Sequence, residues 1–146
     1  MSPTEKPTLL SRTEREARVN QANEFIEVIA SCGRRFFEHD GRIARFNLDD
    51  RGRLWFTDAY TQKEIYVAMP RYRWRGFSNG GTLRSLVENL SGYIRHGQPL
   101  WMGYFEPMRS GANAWGYNEE AMGRVRAAAM KLGDPALYPT EAIHAD

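Results

Sequence analysis

Cysteine is nearly missing from this chain of 146 residues. Cys32 stands alone, so no intrachain disulfide can form and a reducing, cytoplasmic setting is expected. No stretch approaches the ~20 consecutive apolar residues that a membrane helix requires. The opening residues Met1-Ser2-Pro3-Thr4-Glu5-Lys6-Pro7 lack the apolar core of a signal peptide, and the chain ends in no lipid-anchor motif. Metal-ligand spacings of the H-x-H, C-x-x-C and H-E-x-x-H kinds are missing, as are a P-loop, a G-x-G-x-x-G turn and a G-x-S-x-G elbow. No cofactor or metal is therefore expected. Lysine is also scarce: of 20 basic residues only Lys6, Lys63 and Lys131 are lysine, and the rest are arginine. Arginine suits bidentate contacts to phosphate or carboxylate and stacks on rings, although a G+C-rich genome would produce the same bias.

What is present is the composition of one ordinary domain. Hydrophobic residues make up 42% and charged residues 26%, which argues against global disorder. The net charge of +2 is small, but it is unevenly spread. Residues 34–97 hold twelve basic and seven acidic side chains, while both flanking regions are slightly acidic. The expected organisation is a loose leader over 1–10, a single α+β domain over 11–133 and a mobile tail over 134–146.

Ser11 with Glu14, and Thr13 with Glu16, have capping-box spacing and predict a helix start. Val19, Ala22, Phe25, Ile26, Ile29 and Ala30 then form one helical stripe, and Gly33 is a stop. Cys32, near that helix end, is expected to be a small packing residue. Four strands are expected at 34–39, 42–48, 53–58 and 63–69. Asp40-Gly41 is a two-residue hairpin signal, and turns are expected at 49–52 and 59–62. Ile43, Phe46, Leu48, Leu54, Trp55, Phe56, Ile65, Tyr66 and Val67 are the core candidates of these strands. Short connections imply an antiparallel meander, with a fifth strand over 72–77. Leu83, Leu86, Val87, Leu90, Tyr93 and Ile94 mark an amphipathic helix from Thr82 to about His96, closed by Gly97. Gly92, inside it, is expected to allow close packing on the sheet. Residues 100–105 read as a strand or buried loop, and Asn118 caps a last helix reaching about Leu132. The fold expected is α+β: an N-terminal helix, an antiparallel meander of four or five strands, then two helices packed on one sheet face.

Four features bear on function. Arg71, Arg73 and Arg75 alternate with Tyr72 and Trp74, so an extended backbone would put the guanidinium groups on one face and the rings on the other. Such a row, with Arg84 beyond it, suits a phosphate backbone and unpaired bases, or equally a charged edge that deters aggregation. Ser78, Asn79, Gly80, Gly81 and Thr82 lead into a helix whose free N–H groups could hold an anion, although Asn79 or Thr82 acting as a cap explains them as simply. Glu38-His39-Asp40 places titratable groups at a hairpin turn, where adjacency in sequence is not convergence in space, so no catalytic residue is assigned. Trp101, Tyr104, Trp115 and Tyr117 are either core or a protein-binding surface.

Gly33-Arg34-Arg35-Phe36-Phe37, Arg51-Gly52-Arg53-Leu54-Trp55-Phe56 and the run from Trp74 to Arg84, with Trp115-Gly116-Tyr117 downstream, resemble small uncharacterised proteins of proteobacteria and their mobile elements. The resemblance covers most of residues 22–132 and implies a cytoplasmic bacterial accessory protein, with no site residues carried over. The function expected is an accessory, non-catalytic binding protein contacting nucleic acid or a nucleic-acid-handling protein through the basic-aromatic strand. The alternatives are a protein-interaction module using the 101–117 aromatics, and a small enzyme acting on a phosphorylated ligand at Gly80-Gly81. A homodimer through the edge strand is compatible with each, and no membrane partner is expected.

Overall fold

The computed structural model describes residues 8–67, 81–106 and 115–133. The fold is α+β, with three helices and five short antiparallel strands among the described residues. Helix α1 spans Arg12–Ser31 and is capped by Ser11, whose hydroxyl accepts the Glu14 N–H at 3.1 Å. All six stripe residues from Val19 to Ala30 are buried, because the 3.6-residue period gathers them on one side. Cys32 is buried behind the helix end, its thiol 3.1 Å from the Val28 carbonyl. It packs as a small apolar residue there.

The chain then departs from the expected strand. Residues 34–37 form a turn, with Arg35 and Phe37 at φ of 56° and 69°. Left-handed residues cannot continue a pleat, so strand β1 is confined to Glu38–His39. It pairs with β2, Arg42–Ile43, across Asp40 and Gly41, both at positive φ as a type I′ turn requires. The expected strand over 42–48 breaks at Ala44. β3 (Arg45–Leu48) pairs with β4 (Leu54–Thr57), which pairs with β5 (Glu64–Tyr66), in the order β3-β4-β5. The single meander is thus two sheets, one of two strands and one of three. The expected fifth strand at 72–77 lies outside the described residues.

Period-two alternation decides the faces of the larger sheet. Phe46, Leu54, Phe56 and Ile65 point inward and are buried, and Phe46 sits opposite Phe56 with ring centroids 5.0 Å apart. Trp55 and Tyr66, expected in the core, point to the other face and are half-buried. Ile43, also expected in the core, is exposed.

Helix α2 spans Gly81–His96 and α3 spans Glu119–Met130, capped by Asn118, which accepts the Ala121 N–H at 2.8 Å. Leu86, Val87, Leu90, Tyr93 and Ile94 are buried. Gly97, at φ 78°, ends α2. Gly92 does not serve packing on the sheet; an added methyl there would run into the Gln98 side chain. Residues 102–105 form a 3-10 turn rather than a strand. α1 is the shared element: it packs on β3, and both α2 and α3 pack on α1. Asn23 joins the layers, donating to the Phe46 carbonyl at 3.0 Å and accepting the Phe46 N–H at 2.7 Å. Residues 8–10 lie along the end of α2, with the Leu10 N–H on the Arg95 carbonyl at 2.8 Å.

Candidate nucleic-acid interface

Arg71, Arg73, Trp74, Arg75, Ser78, Asn79 and Gly80 lie outside the described residues, and Gly81 and Thr82 open α2. Arg84, in the first turn of α2, is exposed and pairs with Glu88 at 3.8 Å. The four aromatics of the 101–117 region separate. Trp115 and Tyr117 are 3% and 5% exposed, so they are core residues. The Trp115 indole N–H donates to the Tyr104 carbonyl at 2.8 Å, and its ring stacks on Phe105. The Tyr117 hydroxyl donates to the Ile29 carbonyl at 2.9 Å and accepts the Phe36 N–H at 3.4 Å. Burial pushes that phenol up to about 12. Trp101 is 63% exposed, with one face of its ring laid over Gly103 and its edge against Tyr104.

The outward face of the three-stranded sheet gathers arginine and aromatic side chains. Trp55 and Tyr66 sit opposite each other on β4 and β5, ring centroids 5.1 Å apart. The Arg53 guanidinium stands 5.9 Å from both ring centres, and Arg45 is exposed at the start of β3. Asp49 anchors this arrangement. Its carboxylate accepts from the Trp55 indole at 3.0 Å, from the Arg53 side chain at 2.8 Å, and from the backbone N–H groups of Arg51 and Arg53, each at 2.9 Å. The indole bond leads in holding the carboxyl well below the usual carboxylate range; desolvation opposes it, and the Arg53 and Arg51 donors add to it. The turn itself is held by α1: Arg12 donates to the carbonyls of Asp49 and Asp50, and Arg15 to that of Gly52. A rigid platform results, with a cation fixed over two rings.

A second concave feature, of about 520 Å³, lies between the turn after α1 and the loop after β4. Arg34, Arg35, Phe37, His39 and Tyr60 are among its lining residues. Tyr60 is 63% exposed, and its ring meets His39 edge-on at 4.3 Å. Asp58, only 2% exposed, fixes that loop by accepting the N–H groups of Tyr60 and Thr61 at 3.0 and 2.9 Å. Tyr60 was missed in the sequence because a lone tyrosine in a turn carries no pattern. The outward aromatic pair was missed because Leu54-Trp55-Phe56 reads as one apolar run.

Among the described residues, no group of three or more His, Cys, Asp or Glu side chains could hold a metal ion, and no helix is long and apolar enough to cross a membrane.

A family model described as YoqU matches residues 12–137. The chain is 30% identical over 123 residues to the SPbeta prophage-derived uncharacterized protein YoqU of Bacillus subtilis (strain 168), a match that covers 82% of this chain and 84% of the relative. The prophage origin of that relative agrees with the expected likeness to mobile-element proteins; nothing in these matches supports the proteobacterial part of that expectation. No solved structure matches significantly.

Proposed function

The chain belongs to the YoqU family, and we propose that it is an accessory binding protein whose ligand is nucleic acid, contacted through a basic-aromatic surface. The observation that carries this reading is the outward sheet face, where Arg53 stands over Trp55 and Tyr66. Rings on a fixed backbone offer faces to unpaired bases, and guanidinium groups offer charge to phosphates. Two further points support it. The basic row Arg71, Arg73 and Arg75 follows β5 closely in sequence, and positive charge is concentrated over residues 34–97. A relative whose name marks it as prophage-derived suits a protein working beside mobile DNA.

The test is binding of labelled single- and double-stranded DNA across a salt titration, beside a variant with Arg71, Arg73 and Arg75 changed to alanine. Affinity should fall with salt. The folded variant should bind more weakly, its log–log slope shallower by roughly 0.7 for each phosphate of a single strand that arginine no longer neutralises. Lack of binding by the natural protein at low salt would refute the reading.

A second reading keeps Trp101 and Tyr104 as a protein contact. It is favoured by the way Trp101 is held out in solvent: Asn89 accepts its backbone N–H at 2.8 Å and donates to the Pro99 carbonyl at 3.3 Å. An exposed, pre-ordered tryptophan is the kind of anchor that interfaces use.

A further inference from the structure

The cleft beside Tyr60 differs in shape and backbone from the sheet platform. Its floor is apolar, from Phe37 and Ala59, both buried. One wall is the His39–Tyr60 ring pair. Basic groups stand at Arg34 and Arg35. The Arg34 chain crosses Gly116, its guanidinium 5.5 Å from the Phe36 ring centre, and no described carboxylate pairs with it. Arg35 is largely exposed and meets Glu38 at 3.6 Å. The four described non-glycine residues at positive φ are Arg35, Phe37, Asp40 and Gln62. Each lines this cleft or adjoins a residue that does. Backbone held in a sparsely populated region gathers where a site must be pre-shaped.

We infer that this cleft receives one unpaired nucleotide of a single strand, with its base against Tyr60 and His39 and its phosphate at Arg34 and Arg35; the inference rests on the nucleic-acid reading above. The shape argues for it. A duplex offers grooves that are entered by a convex element, and its base faces are already stacked. A concave site of about 520 Å³ suits a single nucleotide instead. An aromatic residue whose backbone is fixed by a buried carboxylate supplies a stacking surface with a lower ordering cost than one on a loose loop. The loop is rigid through Asp58, yet the Tyr60 ring itself is mostly free of protein contact.

The test measures anisotropy of labelled oligothymidylate, of a duplex of equal length, and competition by thymidine monophosphate. Because Tyr60 is exposed, Tyr60→Ala should fold normally, which circular dichroism checks. It should weaken single-strand binding roughly tenfold without changing the salt slope, since the ring carries no charge. Tyr60→Phe should keep the affinity, and Arg34→Ala should lower the slope. Equal binding of single strand and duplex, with Tyr60→Ala silent, would overturn the cleft assignment and leave the nucleic-acid reading standing. Competition by the free nucleotide at concentrations matching the oligonucleotide would overturn the strand as its ligand. Failure of every nucleic acid to bind at low salt would overturn both.

Discussion

Asp49 takes four donors inside one turn, from Trp55, Arg51 and twice from Arg53. A carboxylate so served is more acidic folded than unfolded. Its stabilising contribution is complete above its unfolded-state value and drains as pH falls towards the lower folded-state value. Asp49→Asn should therefore be less stable than the natural protein near neutral pH, and the gap should close below about pH 4. Urea melts at several pH values check this; a gap independent of pH would contradict it. Gly33 makes a different kind of demand. It stands at φ 59°, and a methyl group there would overlap the Tyr117 ring. Gly33→Ala should cost more than the ~1–2 kcal/mol of a left-handed residue alone, read by thermal or urea denaturation. A loss under about 0.5 kcal/mol would contradict the contact. The need for glycine after α1 was legible in sequence as a helix stop. The ring pressed against it was not, because Tyr117 arrives from 84 residues further along.

Among the elements, α1 shows most plainly what a sequence carries. Its cap, its stripe and its stop are local chemistry, and each stands where periodicity put it. Its role as the shared element is non-local and rests on Asn23, which satisfies both backbone groups of Phe46. Asn23→Ala should leave those part-buried groups unpaired and cost about 2–4 kcal/mol, measured as a lower urea midpoint with an unchanged m-value. A change below about 0.5 kcal/mol would show that water replaces the amide. The strands were harder to read. Residues 34–37 have strand-forming composition, yet Arg35 and Phe37 are held left-handed beside the Tyr117 hydroxyl, which accepts the Phe36 N–H. Composition has no access to such a tertiary constraint, and so one expected meander became two sheets. The outward turn of Trp55 and Tyr66 was likewise hidden inside apolar runs, although alternation from Phe56 and Ile65 would have located it once the strand ends were known.

For the molecule as a whole, the aromatic residues divide into core and surface. Trp115 joins buried Phe105 and Tyr117 and half-buried Phe36 in one cluster, while Trp101 stays in solvent. Trp115→Ala should cost about 3–5 kcal/mol, and Trp101→Ala should change stability by less than about 1 kcal/mol. The reverse order in thermal melts would contradict the burial assignment. Among the described residues, the outer sheet face, the Tyr60 cleft and the Trp101 corner present rings. Two of them carry arginine beside the rings, within the chain's basic middle. The charge asymmetry was visible in sequence, and Arg84 and Glu88 stand four apart on the expected helix, but the pairing of Arg53 with Asp49 across the turn needed the fold. The measurement that bears most directly on the nucleic-acid reading is photo-crosslinking of the protein to a 4-thiothymidine single strand, with the attached residues mapped by mass spectrometry. Crosslinks at Trp55, Tyr60, Tyr66 and within residues 70–77 are the predicted result. Crosslinks confined to Trp101 and Tyr104, or none above the level of an unrelated protein, would contradict it.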